Sequence, residues 1–439
     1  MAQKDELQDT PYCHGALPDE DADKMLLKDG DFLIQFRPQR DSNVPSLVMA
    51  VKKRTTVHRF KMERVRGSAA VILSGKQFPN VKILTTNLIK NQTDLNGDGV
   101  VLRRAIPKSK WSITHRDVRM RCKIGSGAYG TVYQGYLTIR DKEKNTAKVI
   151  KVATKRLDSS GKDEQGLTEM MIEARVMQMC EHVNIVKFYG YVIDRTPYLL
   201  VMELCQDGSV EDVLRKKGAS IMINRRIDLA TQAARGLEYL HTIKCIHRDI
   251  ATRNCLLAGP NLKLADFGMC RATEIFKVDL SKPQNVRWLA PEVWKTGETN
   301  FTTDVYAFGI MIWELFEEPY KSPYSEWRAI TVKEKVMNGF RMSPNDIMPD
   351  QMASVMRLAW AQEADTRPPA STVRQMLEEV NKEYNPNLYK GDDEIKVATC
   401  RTARNRSNRS LMSEVKSVSC SVSYQPQART PARTPPKQG

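Results

Sequence analysis

The spacing of apolar residues changes three times along the chain. Over the first hundred residues the apolar runs are short. Phe32-Leu33-Ile34 and Leu47-Val48-Met49-Ala50-Val51 are each bounded by turn or charged residues and predict strands. Ahead of them, residues 21–27 cluster apolar positions among good helix formers and predict a helix. A basic connector, residues 103–110, leads to Trp111. From about residue 117 to 384 lies one domain-sized block that opens in strand patterning and passes into long helices. Its apolar run at 305–313 is too short to cross a bilayer and reads as a buried helix. Beyond it Arg, Ser, Thr and Pro replace the large apolar residues, and such a segment cannot offset its ordering entropy. The pattern predicts a flexible N-terminus at 1–11, a first domain at 12–101, a linker at 102–116, a large domain at 117–385 and a disordered basic tail at 386–439. No internal repeat is present.

Composition narrows this little. Of 439 residues, 41% are hydrophobic and 27% charged, which excludes a wholly disordered or fibrous chain. The net charge of +16 suggests a polyanion partner until it is mapped. Residues 396–439 hold nine Lys/Arg against one Glu, so half of the excess sits in the tail. Nine cysteines, an odd number without C-x-x-C spacing, argue against a disulfide framework or a zinc site and for a reducing compartment. The N-terminus has no apolar signal core, and Ala2 stands where myristoylation needs glycine. The expectation is a soluble, cytoplasmic protein, with the inner face of the plasma membrane as a peripheral site.

The chemistry lies in the large block. Ile124-Gly125-Ser126-Gly127-Ala128-Tyr129-Gly130-Thr131-Val132 lets backbone amides approach phosphates without a Cβ clash. Alone it also fits a flexible hairpin or a dinucleotide-binding turn. Thr131-Val132-Tyr133 continues as strand rather than helix, which predicts a flap between two strands. Lys155 follows at the spacing of the next strand; by itself it fits a solvated edge. Glu173 falls among apolar residues of a helical stretch at 171–177, where a carboxylate is costly unless paired, and Lys155 is its natural partner. His247-Arg248-Asp249-Ile250-Ala251-Thr252-Arg253-Asn254 then supplies an aspartate and an asparagine five apart. Asp266-Phe267-Gly268 and Ala290-Pro291-Glu292 complete the order.

Six pieces in one order resemble the protein-kinase set. The resemblance implies an α+β, two-lobed domain that uses ATP and Mg²⁺. It implies that Gly125, Gly127 and Gly130 cover the phosphates together with Ile124, Ser126, Ala128, Tyr129 and Val132. Lys155 would hold the α/β-phosphates and pair with Glu173. Asp249 would accept the substrate proton beside Arg253, Asn254 and Asp266 would hold Mg²⁺, and Met202, Glu203 and Cys205 would form the adenine hinge. Glu292 with Arg367 resembles a buried ion pair bracing the large lobe, and Asp304 the aspartate bracing the catalytic loop. Ala251 and Arg253 resemble the tyrosine-kinase catalytic loop, as does Arg287-Trp288-Leu289-Ala290-Pro291-Glu292, although Asn285 replaces a usual proline. Protein tyrosine side chains are the implied substrates.

Tyr12-Cys13-His14-Gly15-Ala16-Leu17-Pro18 with Gly30-Asp31-Phe32-Leu33-Ile34 resembles the start of an SH2 domain. SH2, connector and tyrosine kinase in this order resemble the C-terminal half of the Fes/Fer family over residues 12–384, without the family's F-BAR region. Met202 as gatekeeper and Met269 after Gly268 agree with that family. The module departs where an SH2 domain binds phosphate. Gln35 stands for the central arginine, Asp19 for the helper arginine, and Arg59, beside His58, for the strand histidine. Charge-assisted bonds are worth about 1.5–3 kcal/mol each, so losing two predicts weak or absent phosphotyrosine binding. The module would then be a scaffold or an intramolecular dock on its own kinase domain, unless Arg37 and Arg59 rebuild a pocket.

No tyrosine lies between Asp266 and Glu292, and Phe276 holds the place of the family's phosphorylated loop residue. The expectation is a kinase not switched by loop tyrosine phosphorylation, with Glu274, Asp279, or phosphate on Thr273 or Ser281 as substitutes, or with no ordering charge needed. In the tail, Arg401, Arg404, Arg406 and Arg409, with two Arg-Thr-Pro triplets, read first as a solvated segment. Weak contact with an anionic membrane comes second and nucleic acid is not expected, since no groove-reading element accompanies the charge. The leading function is an ATP-dependent protein-tyrosine kinase in intracellular signalling. The alternative is an SH2–kinase-fold scaffold acting mainly by binding, favoured only by the altered pocket and Phe276.

Overall fold

A computed structural model describes residues 6–39, 42–65, 67–127, 130–141, 145–157 and 164–388. The tail and its arginines lie outside the described residues, as do Ala128 and Tyr129.

The front module begins with a short turn of helix, α1 (Glu6–Asp9), and helix α2 (Asp19–Met25). Its sheet is built from β1 (Asp31–Gln39), β2 (Ser42–Lys53), β3 (Thr56–Arg64), β4 (Val71–Leu73), β5 (Lys76–Phe78) and β6 (Arg104–Ala105), in the order β5-β4-β3-β2-β1-β6. Helix α3 (Val81–Lys90) is capped by the Asn80 side chain. Alternation explains the sheet. Phe32 and Ile34 point to one face with Leu47, Met49 and Val51, and there they meet Leu84 and Leu88. Leu33 and Ala50 point to the other face and join a different cluster. The helix expected over 21–27 runs instead from Asp19 to Met25. Pro18, at φ −60°, suits the cap position, and three acidic residues in the first turn favour the positive helix end.

The large domain opens on a second sheet. Its strands are β7 (Ser112–Ile113), β8 (Val118–Gly127), β9 (Gly130–Asp141), β10 (Thr146–Arg156), β11 (Phe188–Val192) and β12 (Leu199–Glu203), in the order β7-β11-β12-β10-β9-β8. Helix α4 (Glu164–Met179) buries Leu167, Met170, Met171, Ala174 and Met177, while Ile172 is only half-buried. Then come α5 (Val210–Lys217), α6 (Ile223–Thr242), the hairpin of β13 (Cys255–Ala258) and β14 (Asn261–Leu264), the pair β15 (Ile275–Lys277) and β16 (Glu298–Asn300), and α7 (Pro291–Thr296). The apolar run expected as a buried helix lies inside α8 (Phe301–Phe316), whose start is fixed by an Asn300/Thr303 capping box. Helices α9 (Ala329–Met337), α10 (Asp350–Ala359) and α11 (Ala370–Tyr384) complete the lobe.

The two modules share one hydrophobic cluster. Ala16, Leu17, Ala22 and Leu26 belong to it together with Met170, Met171, Ala174 and Ile193. At the contact, the Ala16 amide donates to the Ile193 carbonyl at 2.8 Å. Gly15, at φ +67°, permits this approach, since a Cβ there would lie 2.3 Å from the same oxygen. Asp21 on α2 forms an ion pair with Arg175 on α4.

Candidate active site

Strands β8 and β9 form the expected flap, with Gly125 opposite Val132 and Gly127 opposite Gly130. Gly130 cannot carry a side chain: its φ is +134°, and a Cβ would lie 2.2 Å from the Arg156 carbonyl oxygen. A Cβ on Gly125 would meet nothing nearer than Val132 Cβ at 4.0 Å, so the space beside it is open to a ligand. Ile124 and Ser126 are exposed beside it.

The pleat of β10 places Lys155 opposite Val132 on one side and Leu200 on the other. Its Nζ lies 2.9 Å from both Glu173 oxygens and 3.3 Å from Asp266 Oδ1. Burial alone would lower the Lys155 pKa, but the Glu173 and Asp266 carboxylates outweigh it and hold the ammonium above its ordinary value. Burial pushes the Glu173 carboxyl up, against the pull of Lys155. The buried pair is therefore bound as a unit, and α4 is tied to the sheet through it. Asp266 adopts φ +59° and its side chain is 42% exposed, so it faces the cleft. Phe267 is buried, with its ring 5.5 Å from that of His247.

The catalytic loop hangs from buried Asp304. Its two oxygens accept the His247 and Arg248 backbone N–H groups at 2.7 Å each, and His241 Nε2 lies 3.2 Å away. Burial would raise the Asp304 pKa, yet these donors bring it below the usual carboxylate value. Asp249 is held from three directions. Arg253 pairs with Oδ1, Asn254 Nδ2 donates to Oδ2 at 2.6 Å, and Asn285 Nδ2 donates to Oδ1 at 2.7 Å. The Arg253 guanidinium lies 4.0 Å from the Trp288 ring centroid.

At the hinge, Met202 stands opposite Ala153 and both Met202 and Cys205 are half-buried. Burial pushes the Cys205 thiol up to about 12, which leaves it protonated and unreactive. The Glu203 carboxylate turns to Lys263 at 3.0 Å and to the Lys187 N–H at 3.2 Å, and its own N–H donates to the Lys187 carbonyl at 2.8 Å, so its side chain is not turned to a ligand. Arg367 grips Glu292 with two bonds of 2.6 and 2.8 Å.

Two contributors went unread in the sequence. Asn285 stood out there only as a missing proline, yet its amide reaches Asp249. Glu314 is, after Asp304, the second carboxylate of α8 and is fully buried. It accepts from Thr252 Oγ1 at 2.8 Å, Trp288 Nε1 at 3.0 Å and Tyr320 OH at 3.0 Å, and so joins the catalytic loop to the segment that carries Trp288. A carboxylate inside the apolar run that follows Asp304 was the available signal.

A family model for protein tyrosine and serine/threonine kinases matches residues 118–377. The tyrosine-protein kinase transforming protein Fps of avian sarcoma virus (strain PRCII) is 32% identical over 378 residues, covering 85% of this chain and 68% of the relative. Human tyrosine-protein kinase Fer is 30% identical over 376 residues, covering 84% of this chain and 44% of the relative. Fer-related kinase 1 of Caenorhabditis elegans is 29% identical over 381 residues, covering 85% and 95%. The chain thus spans less than half of human Fer and nearly all of the nematode kinase. These relatives lend no support to the scaffold alternative. With the Ala251 and Arg253 pattern, the lobes and these likenesses in agreement, the chain belongs to the Fes/Fer family of ATP-dependent, non-receptor protein-tyrosine kinases.

Proposed function

We propose that the chain transfers the γ-phosphate of Mg²⁺-bound ATP to tyrosine in intracellular protein substrates, with the residue roles that the cleft geometry supports. The carrying observation is the Lys155 ammonium, 2.9 Å from Glu173 and 3.3 Å from Asp266. It is fixed and charged at the mouth of the flap, where triphosphate oxygens need a cation. Gly125 and Gly130 keep the flap backbone bare, and Met202 with the Glu203 and Cys205 backbone meets the base. Asp249 orients and accepts the proton of the tyrosine hydroxyl, and Arg253 fixes its carboxylate. Among the described residues no group of three His, Cys, Asp or Glu is arranged to hold a metal. Asn254 and Asp266 offer hard oxygen donors, which fits Mg²⁺ arriving with the nucleotide phosphates rather than a protein cage. The ion neutralises the charge of the transferring phosphoryl group when bound. Purified full chain incubated with ATP and a tyrosine peptide pool is expected to yield phosphotyrosine that disappears with EDTA and returns with excess Mg²⁺. Transfer that persists in EDTA would overturn the metal roles of Asn254 and Asp266.

The front module reads as an SH2 fold whose phosphate seat is filled from within. Gln35, fully buried, donates to the Leu17 carbonyl at 2.8 Å and cannot offer a cation. The Asp19 carboxylate takes both Arg37 and Arg59, the latter at 2.7 Å through Nε, and Arg59 also pairs with Asp23. An incoming phosphate would have to displace these carboxylates. The same helix faces α4 through Asp21 and Arg175, which supports a dock on the kinase domain rather than a phosphopeptide receptor. A phosphotyrosine peptide library titrated against the full chain is expected to show no saturable binding. Micromolar or tighter binding that Arg59→Ala abolishes would refute this reading.

A further inference from the structure

The segment after Asp266 needs something to hold it open for substrate, and its residues carry no tyrosine for the purpose. Glu274 pairs instead with Lys244 at 2.7 Å, and Asp279 accepts from Ser281 Oγ at 2.6 Å and Ser281 N–H at 3.0 Å. The Thr273 hydroxyl donates to the Ile275 carbonyl at 3.0 Å. Asp279, Ser281 and Thr273 are thus engaged locally, and Glu274 is held by Lys244 at the protein surface.

Phe276 is placed differently. It lies in β15 opposite Thr299 of β16, and the Thr299 hydroxyl donates to its carbonyl at 3.1 Å. Two guanidiniums gather over its ring. Arg248 Cζ is 4.4 Å from the ring centroid and Arg271 Cζ 5.1 Å. Both arginines belong to structures that set the cleft. Arg248 directly precedes Asp249, adopts φ +69°, hangs from Asp304 by its N–H and donates from Nη1 to the Met269 carbonyl at 3.0 Å. Arg271 exchanges backbone hydrogen bonds of 3.0 Å with Ile246, at the base of the catalytic loop. The electron-rich face of a benzene ring attracts a guanidinium, and that attraction requires no ionisable group.

We propose that Phe276 is a permanent positioning residue for phosphoryl transfer: its ring draws Arg248 and Arg271 together and keeps the catalytic loop in register with the activation segment without any phosphorylation. This rests on the reading of Asp249 given above. The ring takes the part that a phosphate would otherwise play, and it cannot be removed by a phosphatase. The loop is therefore set by the fold, and control of this kinase falls to other parts of the molecule.

The test uses full-chain enzyme treated with phosphatase, comparing wild type with Phe276→Leu and Phe276→Tyr. Leucine keeps apolar volume without the ring; unphosphorylated tyrosine keeps the ring. The Leu variant is expected to lose about tenfold in kcat with KM for ATP unchanged, and the Tyr variant to match wild type. Cleavage by trypsin within residues 272–283 should speed up in the Leu variant alone. Thr273→Ala and Ser281→Ala should keep full activity. A Leu variant equal to wild type, a Tyr variant as weak as Leu, or wild type silenced by phosphatase would each overturn the proposal. If untreated wild type transfers no phosphate to tyrosine at all, the reading of Asp249 falls as well, so the two failures are distinct.

Discussion

Asp249→Asn is expected to lower the rate of phosphate transfer to a tyrosine peptide by about a thousandfold, the scale of a lost general base in position. The replacement is nearly isosteric, so packing does not explain the loss. What changes is charge and acceptor capacity. Three donors converge on this carboxylate, from Arg253, Asn254 and Asn285, the last two at 2.6 and 2.7 Å. An amide offers one acceptor oxygen to that set and turns its own N–H groups toward one of the donors. It cannot take the hydroxyl proton, and it no longer balances Arg253. Initial rates measured alongside a thermal unfolding curve separate the effects: activity should vanish while the midpoint stays within a few degrees. A variant that retains a tenth of wild-type kcat would remove Asp249 from the chemistry.

Arg367→Ala is expected to cost about 3–5 kcal/mol of stability, the scale of breaking a buried pair from one side. The Arg367 side chain is fully buried and bonds to both Glu292 oxygens and to the carbonyls of Ala361, Thr302 and Gln362 at 2.9, 3.1 and 3.3 Å. Its guanidinium also lies 5.0 Å from the Tyr306 ring centroid. Alanine would leave the half-buried Glu292 carboxylate and three carbonyls without their donor. Lysine should rescue poorly, because a point charge cannot meet the fork of acceptors that a planar guanidinium meets. Urea denaturation of the full chain reads the loss directly. A midpoint unchanged from wild type would mean that Glu292 finds other partners and that the pair is ornamental.

Much of the site was legible in the sequence because phosphoryl transfer restricts residue types. On the proposed roles, a cation, a carboxylate to hold it, an aspartate base and two oxygen donors cannot be exchanged freely, so Lys155, Glu173, Asp249, Asn254 and Asp266 stand out by type and order. The strands around Phe32 and Leu47 were legible because the pleat alternates burial, as Phe32, Ile34 and Leu33 illustrate. What escaped depends on contacts between distant segments. Asp19 was legible only as standing in the place of the helper arginine. Only the fold shows that it pairs with Arg37 and Arg59, 18 and 40 residues away in sequence. Asn285 reaches Asp249 across 36 residues, and Glu314 collects donors from three segments. The start of α2 was missed by two residues because Pro18 and the acidic first turn outweighed the apolar periodicity.

The Gly15 contact limits how such a chain can be recombined. A domain joined to another only by a tether can be cut out and replaced by any relative of the same fold. Here the backbone at Gly15 lies against the Ile193 carbonyl so closely that a single methyl group would collide, and Leu17 and Leu26 share a core with Met170 and Met171. A transplanted module would have to bring the same bare backbone and the same acidic helix to fit. Exchange of the front module alone would therefore break the Gly15 contact and the shared core around Leu17 and Leu26.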